Sequence, residues 1–164
     1  MPQAESIKKA VSQFGASAKA KLNDGGQPED QLRNPLEQLI AALSLEIGLP
    51  KGALTLVGEK SLAELHTRPD FAVNVQKALI GFIEVKAPGK GADPRKFKDK
   101  HDKEQWDKLK ALPNLLYTDG NAFSLWRDGG MIGSIIKLDG DIEDSGAKLT
   151  APDTFLPLFQ DFLS

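Results

Sequence analysis

Two short stretches carry the residue types that could do chemistry. Arg68-Pro69-Asp70 is followed, thirteen intervening residues later, by Glu84-Val85-Lys86. Both lie in segments with the apolar–polar alternation of strands. If those strands pair, an aspartate at the end of one meets an acid–x–lysine triplet on the next. Hard carboxylate oxygens suit magnesium, which commonly takes one or two carboxylates and keeps several waters. Hydrolysis of a phosphodiester needs neutralisation of the phosphate charge, an activated water and a stabilised leaving oxygen. Asp70 and Glu84 are therefore candidate metal ligands, and the carbonyl of Val85 is a third. Lys86 shares the face of Glu84 and could position or help deprotonate the attacking water. Desolvation would lower its pKa and the nearby acids would raise it; both directions stay open.

The bland reading of the triplet is a solvated strand face with a weak ion pair. Phe82, Ile83 and Val85 count against it, because they predict a strand with little water around its charges. Gln105 falls on the inward stripe of the following helix. It either reaches the site or a phosphate, or is a helix-edge amide bonded to backbone. Glu37 could supply a third acid, although a helix-capping role suits it better, and Asp30 is a weaker candidate for the same job. His101 reads as packed or partner-facing. Lys90, Arg95, Lys96, Lys98 and Lys100 flank the site and could contact a nucleic-acid backbone; the alternative for each is a solvated helix face. Pro88-Gly89-Lys90-Gly91 lacks P-loop spacing and reads as a strand-ending turn whose lysine leans towards substrate. Trp106 and Trp126 read as core aromatics.

The elements that must position these residues can be read along the chain. Residues 3–22 form an amphipathic helix, ended by Asn23-Asp24-Gly25-Gly26-Gln27-Pro28. Asn34-Pro35, with Glu37 in a capping-box position, predicts the start of a second helix. Leu36, Leu39, Ile40, Leu43 and Ile47 make its buried stripe, and Gly48-Leu49-Pro50 stops it. A short strand is expected at 53–57 and a helical turn at 61–66. A strand follows from Asp70 to Val75. Lys77-Ala78 turns the chain into a strand over 79–87, where Phe82, Glu84 and Lys86 share one face. A charged helix spans 94–111, with Phe97, His101, Gln105, Leu109 and Leu112 on its stripe. Strands at 115–118, 122–127 and 131–138 form a meander, with turns at Asp119-Gly120 and Asp128-Gly129-Gly130. A last helix covers 153–163. The order predicts an α/β sandwich, a mixed sheet with helices packed on it.

With 164 residues the chain fits one compact domain, with residues 1–29 as an N-terminal helix and linker and 30–164 as the main body. The net charge of −2 does not by itself recommend a polyanionic partner. The charge is uneven, however. From Lys86 to Lys110 there are nine Lys/Arg against five Asp/Glu, an excess of +4, so the remainder carries −6. The absence of cysteine excludes disulfides, zinc–thiolate sites and thiol nucleophiles, and is compatible with a reducing cytoplasm. Two histidines, His66 and His101, are too few for a histidine-rich metal site. No segment approaches the ~20 apolar residues that span a bilayer, so no membrane partner is expected. Nor is there a signal-peptide apolar run at the N-terminus.

Pro69-Asp70, Glu84-Val85-Lys86 and Gln105 together resemble the PD-(D/E)xK nuclease superfamily. The resemblance extends to Asn34-Pro35-Leu36-Glu37-Gln38-Leu39 before the motif and to residues 111–120 and 123–129 after it. Over roughly residues 30–138 the chain is similar to the N-terminal endonuclease domain of single-chain restriction–modification enzymes of the type IIG and type ISP kinds. The resemblance implies a restriction-endonuclease-like mixed central sheet flanked by helices. It also implies Asp70 and Glu84 as magnesium ligands (manganese able to substitute), Lys86 as the catalytic lysine, and Gln105 as the glutamine that follows this motif. Double-stranded DNA is the implied substrate and a bacterial or archaeal cytoplasm the implied location. No methyltransferase, helicase or target-recognition region fits within 164 residues, so the implied activity is that of the nuclease part alone. The competing expectation is a nuclease-like DNA-binding or protein-interaction module whose site is idle.

Overall fold

A computed structural model describes residues 2–58 and 68–164. The helical turn expected at 61–66, and His66 with it, lie outside these residues. The first helix, α1 (Gln3–Leu22), has the expected bounds and buries Ala10, Val11, Phe14 and Ala18. It is an integral part of the body, packing along α2 and against the turn at Gly146–Lys148. At Gly15 the approach is so close that a Cβ would overlap the Gly146 carbonyl oxygen.

The second helix, α2 (Pro28–Ile47), starts six residues before the expected Asn34. Pro28 takes the first helical position, and Pro35 sits inside the helix. A proline there removes a backbone bond and costs about 3 kcal/mol. Complete burial of Leu32, Leu36, Ile40 and Leu43 offsets that cost. Each such leucine or isoleucine contributes roughly 1.5–3 kcal/mol. Glu37 is therefore no capping-box acid: it is an exposed residue in the middle of α2. Gly48 ends the helix in the left-handed conformation at φ 103°.

Among the described residues six strands form one sheet in chain order: β1 (Leu54–Gly58), β2 (Phe71–Val75), β3 (Ala78–Val85), β4 (Leu115–Thr118), β5 (Ala122–Arg127) and β6 (Gly130–Lys137). Only β3 and β4 are parallel; every other pair is antiparallel. A parallel pair needs a crossover, and residues 86–114 supply it. The β2–β3 turn is Gln76-Lys77, both left-handed at φ 50° and 70°, rather than Lys77-Ala78. The β5–β6 turn at Asp128-Gly129 has the same form.

The crossover differs from the continuous 94–111 helix expected. Asp93 caps a single 3-10 turn over Pro94–Lys96. Asp99 then starts α3 (Lys100–Leu109), accepting from the backbone N–H groups of His101 and Asp102. This start point sets the phase of α3. Asp102, Gln105, Trp106 and Leu109 face inward, whereas His101 is exposed rather than packed. The last helix is α4 (Phe155–Leu163).

The sheet has a core on each side. Phe71, Val73, Ile83, Val85, Leu116, Phe123 and Leu125 join α1, α2 and α4 in one cluster. Ala72, Phe82, Leu115, Tyr117 and Trp126 join Phe97, Trp106 and Leu109 on the α3 side. Trp106 and Trp126 are core aromatics as expected, packed edge to face at 5.0 Å. The result is the expected mixed sheet flanked by helices. No helix among the described residues is long and apolar enough to cross a membrane.

Candidate active site

The register of β2 and β3 pairs Phe71 with Ile83 and Ala72 with Phe82. Extended by one residue, it sets Asp70 opposite Glu84. The Asp70 backbone N–H donates to Glu84 Oε1 at 3.2 Å. In return the Val85 N–H donates to Asp70 Oδ2 at 2.7 Å. A strand residue presents its N–H and C=O to the same neighbour, so the Val85 carbonyl faces the Asp70 side as well. The two acids and the Val85 backbone thus converge where β2 begins and β3 ends.

Burial and the charge of Asp70 dominate the electrostatics. The Glu84 side chain is 5% exposed. Desolvation, then the Asp70 charge, push its carboxyl up to about 8, against the opposing pull of Lys86. Burial and its neighbour thus favour the protonated form of Glu84. Among the described residues no trio of His, Cys, Asp or Glu is placed to hold a metal. The donor set is two carboxylates with a backbone carbonyl beside them, which fits a hard divalent cation that keeps much of its water.

Lys86 is buried at 6% side-chain exposure, and its ammonium has three acceptors for three protons. Glu84 Oε2 lies at 3.2 Å and Asp102 Oδ1 at 2.9 Å. Gln105 Oε1 accepts the third bond, so this amide reaches the site through Lys86 rather than bonding to backbone. Asp102 was absent from the sequence-based candidates. Its other oxygen accepts from Lys90 Nζ at 2.6 Å. Burial works to raise the Asp102 pKa, but the two lysines win and hold it below the usual carboxylate range. The signal for Asp102 was the capping aspartate at 99. Once the helix starts at Lys100, residues 102, 105, 106 and 109 share a face.

Arg33 was also missed. It reaches from α2 to Asp70, with Nη2 at 2.6 Å from Oδ1, and its guanidinium lies 5.7 Å from the Phe71 ring centroid. A helix start at Asn34 would have left Arg33 outside α2, which hid it. Asp30 pairs with Arg33 at 3.6 Å and is otherwise exposed; Glu37 is exposed and is not gathered with the other acids. On the far side of Glu84, Tyr117 is its register neighbour on β4. Its hydroxyl is buried with no hydrogen-bond partner. Burial, followed by the charge of Glu84, raises its pKa far above the usual phenol range.

The basic candidates separate. Lys90 stands at the edge of the cluster with a 39% exposed side chain. Arg95 is committed to Asp93 at 2.9 Å and lies over the Trp126 ring at 5.1 Å. Lys96, Lys98 and Lys100 are exposed, and Lys100 approaches Glu104 at 4.0 Å. Asp119, on the β4–β5 turn, shapes the Pro88–Gly91 loop. It accepts from Gly89, Gly91, Asn121 and Ala122 N–H groups at 2.8–3.1 Å.

No protein-family model matches this chain, and no curated protein matches it. Among solved structures, a chain of the cryo-electron-microscopy structure of a DrdV–DNA complex is similar, with a TM-score of 0.61 at 21% identity. The alignment covers 94% of this chain and 98% of that one. At that identity the likeness is one of fold: a restriction-endonuclease-like mixed central sheet flanked by helices.

Proposed function

We propose that this chain is a magnesium-dependent endonuclease domain of the PD-(D/E)xK kind, acting on double-stranded DNA. The observation that carries the reading is the pairing of Asp70 and Glu84 at the start of β2, beside a buried lysine. A buried Glu84 carboxyl, pushed up by desolvation and then by the Asp70 charge beside it, asks for a cation. Asp70, Glu84 and the Val85 carbonyl would hold magnesium, or manganese in its place. When bound, such an ion lowers the pKa of a coordinated water and neutralises phosphate charge. Lys86, held by Asp102 and Gln105, orients the attacking water against the phosphate and excludes bulk water from the buried side. Lys90 supplies a cation for an adjoining phosphate, and the exposed Lys96, Lys98 and Lys100 add a sequence-independent attraction. The similar DrdV chain was solved with DNA, which favours a nucleic-acid substrate. On this reading methylation and sequence recognition belong to other domains, as in single-chain restriction–modification enzymes, and the setting is cytoplasmic.

A second reading, an idle nuclease-like DNA-binding or interaction module, draws on one observation. Each oxygen of Asp70 and Glu84 already has a protein partner: Arg33, the Val85 N–H, the Asp70 N–H and Lys86. Calorimetry with magnesium and manganese, paired with cleavage of supercoiled plasmid DNA, separates the two. The nuclease reading expects metal-binding heat that Asp70→Ala removes, and nicking that requires the metal. DNA binding with neither heat nor nicking would establish the idle module instead.

A further inference from the structure

Asp102 is shared between two ammonium groups of different exposure. Lys86, at 6% side-chain exposure, holds Oδ1 at 2.9 Å, while Lys90, at 39%, holds Oδ2 at 2.6 Å. The Asp102 side chain is itself 6% exposed. Its placement is rigid, because Asp99 caps the first turn of α3 and Trp106, one turn on, is packed against Tyr117 and Trp126. The backbone carrying Lys90 is also fixed. Gly89 and Gly91, left-handed at φ 95° and 82°, both donate to Asp119 Oδ2. Between these pinned flanks the Lys90 side chain is the part able to change partner. An ammonium at the mouth of a buried charge cluster will exchange a carboxylate for a phosphate at modest cost, since both offer charged oxygens.

We propose that Asp102 is a positioning residue for Lys86, and that Lys90 couples this positioning to occupancy by a nucleic-acid phosphate. With Lys90 drawn to a backbone phosphate, Asp102 serves Lys86 alone. The Lys86 ammonium is then held more firmly towards α3, and its contact with Glu84 Oε2 loosens. The active centre thereby acquires its working arrangement only with the polyanion in place. The inference rests on the nuclease reading for its purpose, but the coupling between the lysines can be seen without catalysis.

The test uses the full chain labelled with nitrogen-15 at lysine and observes the side-chain ammonium resonances. The Lys86 resonance is expected to be protected from solvent exchange, since all three of its protons are engaged. Asp102→Asn should abolish that protection, and Asp102→Glu should restore part of it. Titration with a short DNA duplex, with no divalent metal present, should shift the Lys90 and Lys86 resonances together. In Lys90→Gln, whose side chain is partly exposed and whose fold should persist, the duplex should no longer move Lys86. In cleavage assays Lys90→Gln should raise KM several-fold with kcat kept, whereas Asp102→Asn should lower kcat. A protected Lys86 resonance in Asp102→Asn, or a duplex that leaves Lys90 unmoved, overturns the proposal. Coupled shifts in a protein that never nicks DNA would overturn the nuclease reading while the lysine coupling stands.

Discussion

Arg33 on α2 and Asp70 at the start of β2 meet at 2.6 Å, thirty-seven residues apart in the chain. The guanidinium is 24% and the carboxylate 15% exposed, so the pair is well shielded. It gives Asp70 a cationic partner, and it ties the helix to the strand end that carries the paired acids. Arg33→Met should cost about 1–3 kcal/mol, because it leaves a partly buried carboxylate without its charged partner. Urea denaturation in the absence of metal measures this. Added magnesium should recover part of the loss, since it would stand in for the guanidinium. An Arg33→Met protein as stable as the parent would show that the ion pair is not needed to hold Asp70.

Glu84 makes the metal-free protein pH-sensitive. Its folded-state pKa is raised from 4.5 to about 8, so between those values the folded protein binds a proton that the unfolded chain has lost. Stability is then expected to fall as pH rises through that window, by about 1 kcal/mol per unit at most. Thermal unfolding in chelator should show a declining Tm from about pH 5 to pH 8. Glu84→Gln should flatten this slope. A divalent ion should flatten it too, by occupying the place of the proton. A Tm that rises over that range in the parent protein would contradict the assignment.

Asp119 accepts four backbone N–H bonds from two separate turns. Asp119→Ala should destabilise the fold by about 1–3 kcal/mol, since four backbone N–H groups, most of them only partly buried, lose a charged acceptor. The damage should concentrate in the Pro88–Gly91 loop. Hydrogen exchange at the Gly89 and Gly91 amides is the direct measure, and amides as protected in the variant as in the parent would refute the role.

Tyr117 carries a buried hydroxyl without a partner. Leaving such a group unsatisfied costs about 1–3 kcal/mol. Tyr117→Phe removes the hydroxyl and keeps the ring packing on Phe97 and Trp106. The expected result is a protein of equal or greater stability. A clear loss would mean that the hydroxyl is satisfied in solution, by water or by the neighbouring acids.

The amino-acid sequence by itself determined the strand faces. Period-two alternation put Phe82, Glu84 and Lys86 on one side of β3, and a strand offers no other arrangement once its direction is set. The charge triplet, the preceding aspartate and the ends of α1, β4 and β5 were legible for the same reason, since they depend on neighbours close in sequence. What the tertiary structure decided was helix phase and long-range partnership. Pro35 looked like a helix start, but burial of Leu32 and Leu36 lets the helix run through it from Pro28, and so brings Arg33 to Asp70. Asp102 turned inward because Asp99, not the Pro94 turn, caps α3. Such choices rest on the core that forms around a segment, and a local pattern holds no record of which distant atoms that core will supply.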